Sequence, residues 1–361
     1  MSRPAQVVIN LAALRHNYSR VRALAPASKI ISVVKADAYG HGLVRVASTL
    51  IDTDAFGVAC LEEAMELRDA GIRKPIILLE GPYSGTELQD ITRLDLDIVV
   101  HHPDQIQMLE QYPGKAAIRV WMKVDSGMHR LGFDPATVVA SWQRLKKCSA
   151  VHPDIRLMTH LANASNPASP MTLAQLDTFN KTCGAIQAQR TIANSAGIVA
   201  WPQAHADYVR PGLMLYGVSP IDNTESSALG LLPVMSLQST LISIREVKKG
   251  EPVGYGADWL CPQDMLVGIV AAGYGDGFPR HGRTDTPITI NGRRTRIIGN
   301  PSMDMLTVDL STVPGVKTGD PVELWGNSLP VEEVAKAAGT IAYELLCAVH
   351  KRLRFIVHDQ S

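Results

Sequence analysis

Short apolar runs alternate with longer amphipathic stretches over the first two thirds of the chain. The apolar runs are rich in β-branched residues and end at glycine, proline or polar residues, a pattern typical of strands buried on both faces of a parallel sheet. We find eight such runs, at residues 30–34, 55–59, 75–79, 96–100, 118–124, 155–161, 191–194 and 206–209. The pattern therefore predicts eight consecutive strands.

The stretches between these runs have the periodicity of amphipathic helices. One of them ends at Gly71, and glycine is the residue most typical of the position after a last helical turn. Asn10 is placed to cap a first helix that runs from residue 11 to about residue 25. The other predicted helices are at residues 61–70, 103–111, 135–147 and 170–189.

Eight strand-helix units in succession predict a (β/α)8 TIM barrel, an α/β fold. A doubly wound sheet is the competing interpretation, but it would have fewer strands and a glycine fingerprint after the first one. The glycines Gly273, Gly275 and Gly277 lie far downstream of the first strand, so they do not support that fold.

From about residue 231 the pattern changes to strands joined by short turns. Asn291 and Gly292 between two β runs are the strongest hairpin signal in the chain. Two short helices are predicted at residues 331–338 and around 343–349. The predicted strands of this part are residues 234–247, 266–272, 287–290, 294–298, 305–308 and 322–325.

These patterns divide the chain into two predicted domains. The length of 361 residues suits a barrel of ~250 residues with a smaller unit. We place the barrel at residues 11–230 and a mostly β domain at residues 231–361. The first ten residues contain a short strand that precedes the barrel and has no barrel partner, so residues 1–10 are expected to join the second domain.

Composition and charge exclude several classes of protein. Apolar residues make up 46% of the chain and charged residues 19%, which is typical of a folded globular protein. Lys plus Arg and Asp plus Glu both number 35, so there is no electrostatic case for a nucleic-acid or anionic-membrane partner. No run approaches the ~20 apolar residues that span a bilayer, and no apolar signal segment is present at the N-terminus. A cytoplasmic protein is expected.

The cysteines and histidines form no metal-binding pattern. Five cysteines are scattered without C-x-x-C spacing, which argues against a disulfide scaffold and a zinc site, and most are expected in the core. His101 and His102 precede a proline, and this position favours helix capping over metal binding.

A lysine stands where the first predicted strand ends. Lys35 is expected at the carboxyl edge of the barrel, where the active sites of such barrels lie. Burial disfavours the charged form of a lysine, and the neutral amine is a nucleophile for carbonyl groups. The alternative is a lysine that lays its stem along the rim and keeps its charge in water. Gly40 and Gly42 are expected where the loop passes close to a ligand.

Other polar residues follow later strands at the same expected edge. They are residues 125–130, His160, Asn194, Ser195 and Arg210. Barrels commonly bind a phosphate group with the loops after strands seven and eight. Ser195, Gly212 and Leu213 lie in those loops, so a phosphate site is predicted there.

Residues 35–42 read Lys-Ala-Asp-Ala-Tyr-Gly-His-Gly, which resembles the pyridoxal-phosphate lysine motif of bacterial alanine racemases. The resemblance implies pyridoxal 5'-phosphate as cofactor and the interconversion of L- and D-alanine, which supplies D-alanine for cell-wall peptidoglycan or degrades it. It also implies a homodimer with active sites shared between subunits. The likeness continues through both predicted domains, at residues 128–132, 208–212, 253–257, 271–277 and 302–305.

The resemblance implies a role for each residue of the barrel edge that matches the motif. Lys35 would hold the cofactor as an imine, Tyr39 would bond its phosphate, and Arg210 would bond its pyridine nitrogen. Because a guanidinium keeps its proton, that nitrogen would stay unprotonated. His160 would bond Arg210 or stack on the cofactor ring. The alternatives are a structural arginine that bonds backbone carbonyls and a rim histidine with satisfied hydrogen bonds.

A second base is implied in the second domain. Racemisation removes a proton from one face of a planar carbon and delivers one to the other face, so one base cannot easily serve both. Lys35 and Tyr255 would form that pair, with Tyr255 reaching the site of the partner subunit. The alternative for Tyr255 is an ordinary strand aromatic between two glycines.

Further residues are implied on the substrate side. Arg130 would lie near the substrate carboxylate, and Lys123 matches a lysine that is carbamylated in several relatives and orients that arginine. The Met303 N–H and the Asp304 side chain would meet the substrate from across the interface. Tyr274 would line the passage to the site.

Three positions depart from the family pattern. Relatives often carry arginine where Asn300 stands and aspartate where Ser165 stands, and these form an ion pair in the passage. Both are neutral here. We also align Lys351 with a tyrosine that binds phosphate in some relatives, which leaves part of the phosphate site unassigned.

Three alternatives to an alanine racemase remain. The neutral Asn300 and Ser165 motivate a broad-specificity amino-acid racemase of the same fold. An amino-acid decarboxylase would place an acidic residue at the pyridine nitrogen, and Arg210 argues against it. A non-enzymatic pyridoxal-phosphate carrier would not need Tyr255 and Met303 on an appended domain.

Overall fold

The computed structural model describes residues 3–114, 117–282 and 284–359. Strand β1 (Gln6–Asn10) leads directly into the helix Leu11–Leu24. The Asn10 side chain accepts a hydrogen bond from the Ala13 N–H at 3.0 Å, which satisfies one of the free donors of the first turn. The predicted helix cap is confirmed.

Eight parallel strands follow and close into a barrel, in which β2 pairs with both β3 and β9. The strands are β2 (Lys29–Val33), β3 (Ala55–Val58), β4 (Ile76–Leu78), β5 (Asp97–Val100), β6 (Val120–Lys123), β7 (Arg156–Met158), β8 (Arg190–Asn194) and β9 (Tyr208–Arg210). Each overlaps one predicted strand, so the barrel is confirmed. Two predicted strands, 118–124 and 155–161, are too long at both ends.

Helices lie between the strands, as the amphipathic stretches predict. The prediction at 170–189 is too long, since the helix ends at Cys183 and a glycine follows, and the prediction at 135–147 begins as a 3-10 turn at Pro135–Thr137. The helices are Leu43–Thr49, Leu61–Asp69, Leu88–Arg93, Pro103–Gln111, Val138–Lys147, Met171–Cys183 and Ser195–Ala200.

The remaining strands form a mostly β part. They are β10 (Met235–Val247), β11 (Pro252–Val253), β12 (Trp259–Leu260), β13 (Met265–Val270), β14 (Pro287–Ile290), β15 (Arg293–Arg296), β16 (Leu306–Asp309), β17 (Pro321–Trp325) and β18 (Arg354–His358). Two helices, Val331–Ala338 and Ala342–Cys347, pack beside them. Strand β18 was not predicted.

The order of the main sheet is β15-β14-β17-β10-β1-β18. Strand β1 pairs antiparallel with β10 and parallel with β18, so the N-terminal strand joins the second sheet as predicted. The predicted domain boundary at residue 230 falls between β9 and β10. Asn291 and Gly292 connect β14 and β15 with φ values of 50° and 74°, the left-handed conformation that a tight hairpin turn requires.

A packed plug fills the amino end of the barrel. The carboxylate of Asp97 is 1% exposed and accepts hydrogen bonds from Arg119 at 2.6 Å and from the Trp121 indole at 3.1 Å. The guanidinium of Arg156 lies 5.0 Å from the Trp121 ring centroid and 5.5 Å from that of Tyr208. Since this end is closed by side chains, a ligand site in the barrel has to lie at the carboxyl edge.

No helix among the described residues has both the length and the apolar character needed to cross a membrane. Within the same residues, no group of three or more His, Cys, Asp or Glu side chains is arranged to hold a metal ion. The cysteines carry free thiols, and Cys148, Cys183 and Cys261 are buried. His102 caps the helix Pro103–Gln111, because its ring accepts a hydrogen bond from the N–H of Asp104 at 3.3 Å.

Candidate active site

The carboxyl edge of the barrel collects most of the predicted site residues. Lys35 lies two positions after β2, Lys123 ends β6, and His160 follows β7 by two positions. Asn194 ends β8 and Arg210 ends β9. Because all eight strands are parallel, these residues share one rim.

The segment after Lys35 forms a left-handed turn without glycine. Ala36, Asp37, Ala38 and Tyr39 have φ values of 55°, 52°, 52° and 55°. This conformation costs a non-glycine residue roughly 1–2 kcal/mol. A turn with four such residues persists only where its surroundings hold it.

Two carboxylates hold the turn, that of Glu63 from outside and that of Asp37 from within. Glu63 accepts the Ala36 N–H at 2.6 Å through one oxygen and the Ala59 N–H at 2.8 Å through the other. Asp37 accepts the Leu43 N–H at 2.7 Å. These bonds fix the backbone on both sides of the turn, and Lys35 is fixed with it.

The two glycines of this segment have a structural reason that differs from the predicted one. A Cβ on Gly40 would lie 2.2 Å from the Leu346 carbonyl oxygen, and one on Gly42 would lie 2.6 Å from the Arg45 side chain. Both residues also have positive φ, at 77° and 94°. They allow close packing within the protein, whereas the expected approach to a ligand stays a prediction.

Tyr39 lies among aromatic rings at the rim. Its ring stacks on that of Tyr216 with centroids 4.6 Å apart and lies 5.8 Å from that of Tyr343. Burial raises the pKa of the Tyr39 phenol, and the neighbouring Tyr343 raises it further. The hydroxyl therefore keeps its proton and can donate a hydrogen bond to an anion.

A cradle of donors surrounds the Tyr39 hydroxyl. A Cβ on Gly212 would lie 2.5 Å from that oxygen, so the glycine leaves the space that the hydroxyl occupies. The hydroxyl of Ser195 accepts the N–H of Gly212 at 2.9 Å and that of Met214 at 3.4 Å. The Leu213 N–H between them has no acceptor among the described residues. Hydroxyl and N–H donors that converge in this way fit a phosphate group.

Asn194 has a different local role from its neighbours. Its side-chain oxygen accepts the Gly197 N–H at 2.9 Å and caps the helix Ser195–Ala200, while its amide donates to the Leu161 carbonyl at 3.3 Å. These bonds use the side chain to position Ser195 at the rim.

Arg210 is buried and nearly saturated with hydrogen bonds. Its Nη atoms donate to the Thr191 hydroxyl at 2.7 Å, to the Thr159 carbonyl at 2.7 Å and to the Ile192 carbonyl at 3.2 Å. Burial lowers its pKa to about 10, which still leaves it charged at neutral pH. For Nε no acceptor occurs in the described part of the chain, so this donor is available to a ligand.

His160 contacts Arg210, as one of the two predicted roles requires. The Nη2 atom of Arg210 lies 3.4 Å from Nδ1 of His160. Burial lowers the pKa of His160 well below its usual value, and the charges of Arg210 and Lys123 lower it further. The imidazole is therefore neutral and accepts a hydrogen bond from the guanidinium.

Lys123 is a buried cation among cations. It is 7% exposed, and burial together with the charges of Arg210, Arg130 and Lys35 lowers its pKa to about 8. Arg130 itself is exposed. So many positive charges at one rim make it a site for an anionic ligand.

The loop that carries Arg130 is organised by Asp125. The carboxylate of Asp125 accepts the N–H groups of Gly127 at 2.9 Å, Met128 at 3.1 Å and His129 at 3.1 Å. These bonds lower the pKa of Asp125 against the effect of its burial. The sequence gives the loop its shape through this one carboxylate.

The predicted residues of the second domain lie on the surface of the chain. Tyr255 is 71% exposed, Met303 52% and Tyr274 38%. No hydrogen bond or ion pair within the described residues joins these three, or Asp304, to Lys35 or Arg210. Within one subunit they do not complete the site at the rim.

Tyr343 is a site residue that the sequence reasoning missed. A cavity of ≈ 1150 Å³ opens at the rim, and its wall includes His160, Ser195 and Tyr343. Lys351, which we aligned with a phosphate-binding tyrosine, lies exposed in the turn before β18, whereas Tyr343 contacts Tyr39. The alignment of Lys351 was wrong. A tyrosine on a short helix carries no sequence signal that its ring reaches the rim.

Ser165 and Asn300, the two neutral positions that depart from the family pattern, lie in different parts of the structure. Ser165 lines the cavity at the rim, and its carbonyl accepts the Asp222 N–H at 2.9 Å. Asn300 donates from its amide to the Tyr255 carbonyl at 2.9 Å and to the Asp258 carboxylate at 2.7 Å. In this chain Asn300 therefore fixes the backbone that carries Tyr255.

The sequence matches the model of the N-terminal domain of alanine racemase over residues 9–220 and that of its C-terminal domain over residues 234–357. It is 50% identical over 350 residues to the biosynthetic alanine racemase of Escherichia coli O6:H1, covering 97% of this chain and 98% of that protein. It is 47% identical over 355 residues to the alanine racemase of Halorhodospira halophila, covering 98% of each.

Solved structures agree with the sequence matches. The crystal structure of the biosynthetic alanine racemase from Pseudomonas aeruginosa has a TM-score of 0.97 at 44% identity and covers 99% of this chain and 100% of that one. The alanine racemase from Acinetobacter baumannii has a TM-score of 0.90 at 39% identity over the same shares. This chain belongs to the alanine racemase family.

Proposed function

We propose that this protein interconverts L- and D-alanine with pyridoxal 5'-phosphate bound at the carboxyl edge of the barrel. The observation that carries the proposal is the arrangement of Lys35, Arg210 and the donor cradle around Ser195 on one rim. The likeness to biosynthetic enzymes favours production of D-alanine, which would supply cell-wall peptidoglycan.

The rim residues fit the cofactor at both of its ends. The hydroxyls of Tyr39 and Ser195 and the N–H of Leu213 would bind its phosphate, and Gly212, whose N–H holds the Ser195 hydroxyl, would lie against it. The amine of Lys35 would attach it covalently. When bound, the cofactor withdraws electrons from the α-carbon of alanine and so makes the hydrogen on that carbon acidic.

Arg210 would bind the ring nitrogen of the cofactor through Nε and control what happens to the proton. Its guanidinium is held by Thr191, Thr159 and His160 and has no proton to give away at neutral pH. An unprotonated ring nitrogen is a weak electron sink. This favours return of the proton to the α-carbon over its delivery to the cofactor, which would lead to transamination.

Two bases would handle the proton on opposite faces of the α-carbon. Lys35 serves one face, and Tyr255 of the partner subunit serves the other. The 71% exposure of Tyr255 supports a role outside its own subunit. A homodimer with shared sites follows, in which each rim is completed by the second domain of the other chain.

The substrate carboxylate would be held by charge and by a backbone donor. Arg130 is exposed at the rim with no hydrogen-bond partner among the described residues, so its guanidinium is free to bind an anion. The Met303 N–H and Asp304 of the other subunit would complete the pocket, and Tyr274 would line the passage to it.

Lys123 is proposed to be carbamylated. A lysine with its pKa lowered to about 8 has a reactive fraction of neutral amine near neutral pH. The neutral amine would form a bond to the carbon of carbon dioxide and lose one proton to solvent, so that an anion would stand where Arg210, Arg130 and Lys35 surround a cation, and repulsion would become attraction. The anion would orient Arg130.

A racemase of broad specificity is the second candidate. The observation that favours it is the neutral Ser165 on the wall of a cavity of ≈ 1150 Å³, where no charge at that position restricts the side chain of the substrate. Turnover of lysine, arginine and serine at rates comparable to that of alanine would select this candidate.

Trapping the cofactor tests the central assignment. The purified protein should be yellow, and borohydride reduction should leave the cofactor on the peptide that contains Lys35, because Glu63 holds the backbone next to this lysine at the rim through the Ala36 N–H. Peptide mass spectrometry makes the measurement. The variant Lys29→Arg, changed at an exposed lysine at the other end of β2, is the control and should label normally. Label on any lysine other than Lys35 would overturn the assignment.

A further inference from the structure

Two arginines and two aspartates form a closed ion network in the second domain. Arg3 and Arg352 each contact both Asp276 and Asp304, and we call these four residues the Asp276 network. Arg3 lies 2.5 Å from Asp276 and 3.5 Å from Asp304, and Arg352 lies 2.8 Å and 2.9 Å from the same two carboxylates. The network joins the N-terminal segment, the C-terminal segment and two loops.

Asp276 is the buried centre of the network. Its side chain is fully buried, and a carboxylate in that position has to be paired with cations and hydrogen-bond donors. Besides Arg3 and Arg352, it accepts the Gly273 N–H at 3.0 Å. The two guanidinium groups are thus held in place by a group that itself cannot move into water.

The arginines use their remaining donors on one short segment. Arg3 donates to the Asp304 carbonyl at 2.9 Å, and Arg352 contacts the Met303 carbonyl at 3.3 Å in addition to the Asp304 side chain. Arg3 and Arg352 therefore hold the backbone of residues 303 and 304 and the Asp304 side chain from two sides. Arginine suits this role because its planar group offers several donors in fixed directions.

The same segment rests on the turn that contains Asp276. The Tyr274 N–H donates to the Ser302 carbonyl at 3.1 Å, and the Gly275 N–H donates to the Met303 carbonyl at 2.9 Å. A Cβ on Gly273 would lie 2.3 Å from the Ser302 carbonyl oxygen, so the two loops touch backbone to backbone. Any shift of this turn moves the segment.

Little apolar packing could take over this positioning. The side chains of Met303 and Met305 are 52% and 46% exposed, so they contribute little to holding the segment. Polar contacts alone determine where the Met303 N–H and the Asp304 carboxylate point. We propose that Asp276 is a positioning residue that fixes the Met303–Asp304 segment through Arg3 and Arg352, and thereby completes the substrate pocket of the partner subunit.

This inference rests on the proposed function for the role of the segment, but the positioning itself can be measured without it. In the variant Asp276→Asn, the backbone amides of residues 302–305 should exchange with deuterium about tenfold faster, because the segment opens more easily. Asp97→Asn is the matched control, since Asp97 is also a buried carboxylate with two arginines, at the amino end of the barrel. Unchanged exchange at residues 302–305 in a folded Asp276→Asn protein would overturn the inference.

Kinetics then test the link to the substrate pocket. In the same variant KM for alanine should rise, and kcat/KM should fall by roughly ten- to a hundredfold, as expected when a binding group is misplaced. The control Asp97→Asn should keep the wild-type KM. Faster exchange with an unchanged KM would support the positioning and count against the substrate role of the segment in the proposed function.

Mixed dimers test whether the network acts on the partner. Co-expression of Asp276→Asn with Lys35→Ala should rebuild one site with wild-type KM, because the network of one chain then serves the lysine of the other. Co-expression with Tyr255→Ala should not, since both defects then lie on the same side of the shared site. Equal recovery in both mixtures would overturn the action in trans.

A less disruptive variant covers the case in which Asp276→Asn does not fold. The Arg3 side chain is 34% exposed and close to the N-terminus, so Arg3→Gln removes the contacts of one arginine with the segment and has little effect on the core. It should show the same pattern in exchange and KM to a smaller extent. A wild-type exchange rate and KM in Arg3→Gln would contradict the inference.

Discussion

Four cationic side chains lie at the carboxyl edge of the barrel, and burial together with their mutual repulsion explains the protonation states of the site. Burial lowers the pKa of Lys123 and of His160, and the charges of Lys35, Arg130 and Arg210 lower both further. An anionic ligand would relieve the repulsion, so binding of such a ligand and stability of the folded protein are coupled.

Replacement of Lys123 should change the free energy of unfolding, and the sign of this change should depend on carbamylation. The pKa of the free amine in the folded protein is about 8, below its ordinary value of 10.5, so a protonated Lys123 destabilises the folded state relative to the unfolded state. This loss of stability is complete below pH 8 and disappears as the pH rises to 10.5. Without carbon dioxide, Lys123→Met should therefore raise the free energy of unfolding at pH 7 on the order of 2 kcal/mol, and the gain should vanish at high pH.

With bicarbonate present the sign should reverse, because methionine then replaces an anion that binds Arg130 and Arg210. Urea unfolding of both proteins at several pH values, with and without bicarbonate, makes the measurement. Lys146→Met, at an exposed lysine, is the control and should change little. A Lys123→Met effect that responds to neither pH nor bicarbonate would exclude both parts of the argument.

Position after a predicted strand was enough to expect Lys35, His160 and Arg210 at one rim, because parallel strands bring their carboxyl ends together, whereas their roles came from the resemblance to the family motif. The same reasoning could not find Tyr343, which reaches Tyr39 from a helix of the second domain. Contacts between distant parts of the chain do not change the local pattern of apolar and polar residues, so that pattern cannot predict them. The Asp276 network was missed for the same reason.

At the scale of elements, the left-handed turn after Lys35 is the feature that depends most on its neighbours. Little in the sequence of residues 36–39 favours positive φ, since only Asp37 belongs to the residue types that visit this region and none of the four is glycine. The strain is offset by hydrogen bonds to Glu63 and Asp37. By contrast, the Asn291–Gly292 hairpin was predictable because its residues prefer the conformation that they adopt.

Removal of Glu63 should loosen this turn. The carboxylate bonds two N–H groups, and each hydrogen bond to a charged group contributes ~1.5–3 kcal/mol. Because the two bonds share one carboxylate, their contributions do not simply add, and Glu63→Ala should lower the free energy of unfolding by about 2–4 kcal/mol in urea titrations. The neighbouring Glu62→Ala, at an exposed residue of the same helix, is the control. Equal losses in the two variants would show that the turn does not depend on Glu63.

Strand β18 could not be predicted from pattern alone. Residues 354–358 alternate poorly between buried and exposed positions, and the strand forms because it pairs in parallel with β1 at the other end of the sequence. The pairing places Arg352, just before β18, near Arg3, just before β1. A long-range strand pair thus builds the Asp276 network.

At the scale of the whole molecule, the residues of the proposed site are divided between the barrel rim and an exposed surface of the second domain. Lys35 lies on the barrel rim, whereas Tyr255 is 71% exposed on the second domain. The two bases can act on one substrate only if a second chain brings its Tyr255 to the rim. The proposed reaction therefore requires a dimer in which each chain supplies half of each site.

Mixtures of inactive variants test this division of the site. Lys35→Ala and Tyr255→Ala should each be inactive alone, because each homodimer lacks one base in both sites. A dimer that joins one Lys35→Ala chain and one Tyr255→Ala chain holds one intact site of its two, so the purified mixed dimers should recover about half of the wild-type activity. Racemisation is measured after co-expression with two different affinity tags and purification through both.

The double variant Lys35→Ala/Tyr255→Ala provides the control for that experiment. Mixed with Lys35→Ala, it can form no site that has both bases, because no chain in the mixture carries the lysine. Mixed with the wild type, it also leaves the mixed dimer without an intact site, since each of its two sites lacks either the lysine or the tyrosine. Recovery by the single variants but not by these mixtures requires that the two bases come from different chains. Activity of the wild-type mixture without recovery by the single variants would mean that one chain supplies both.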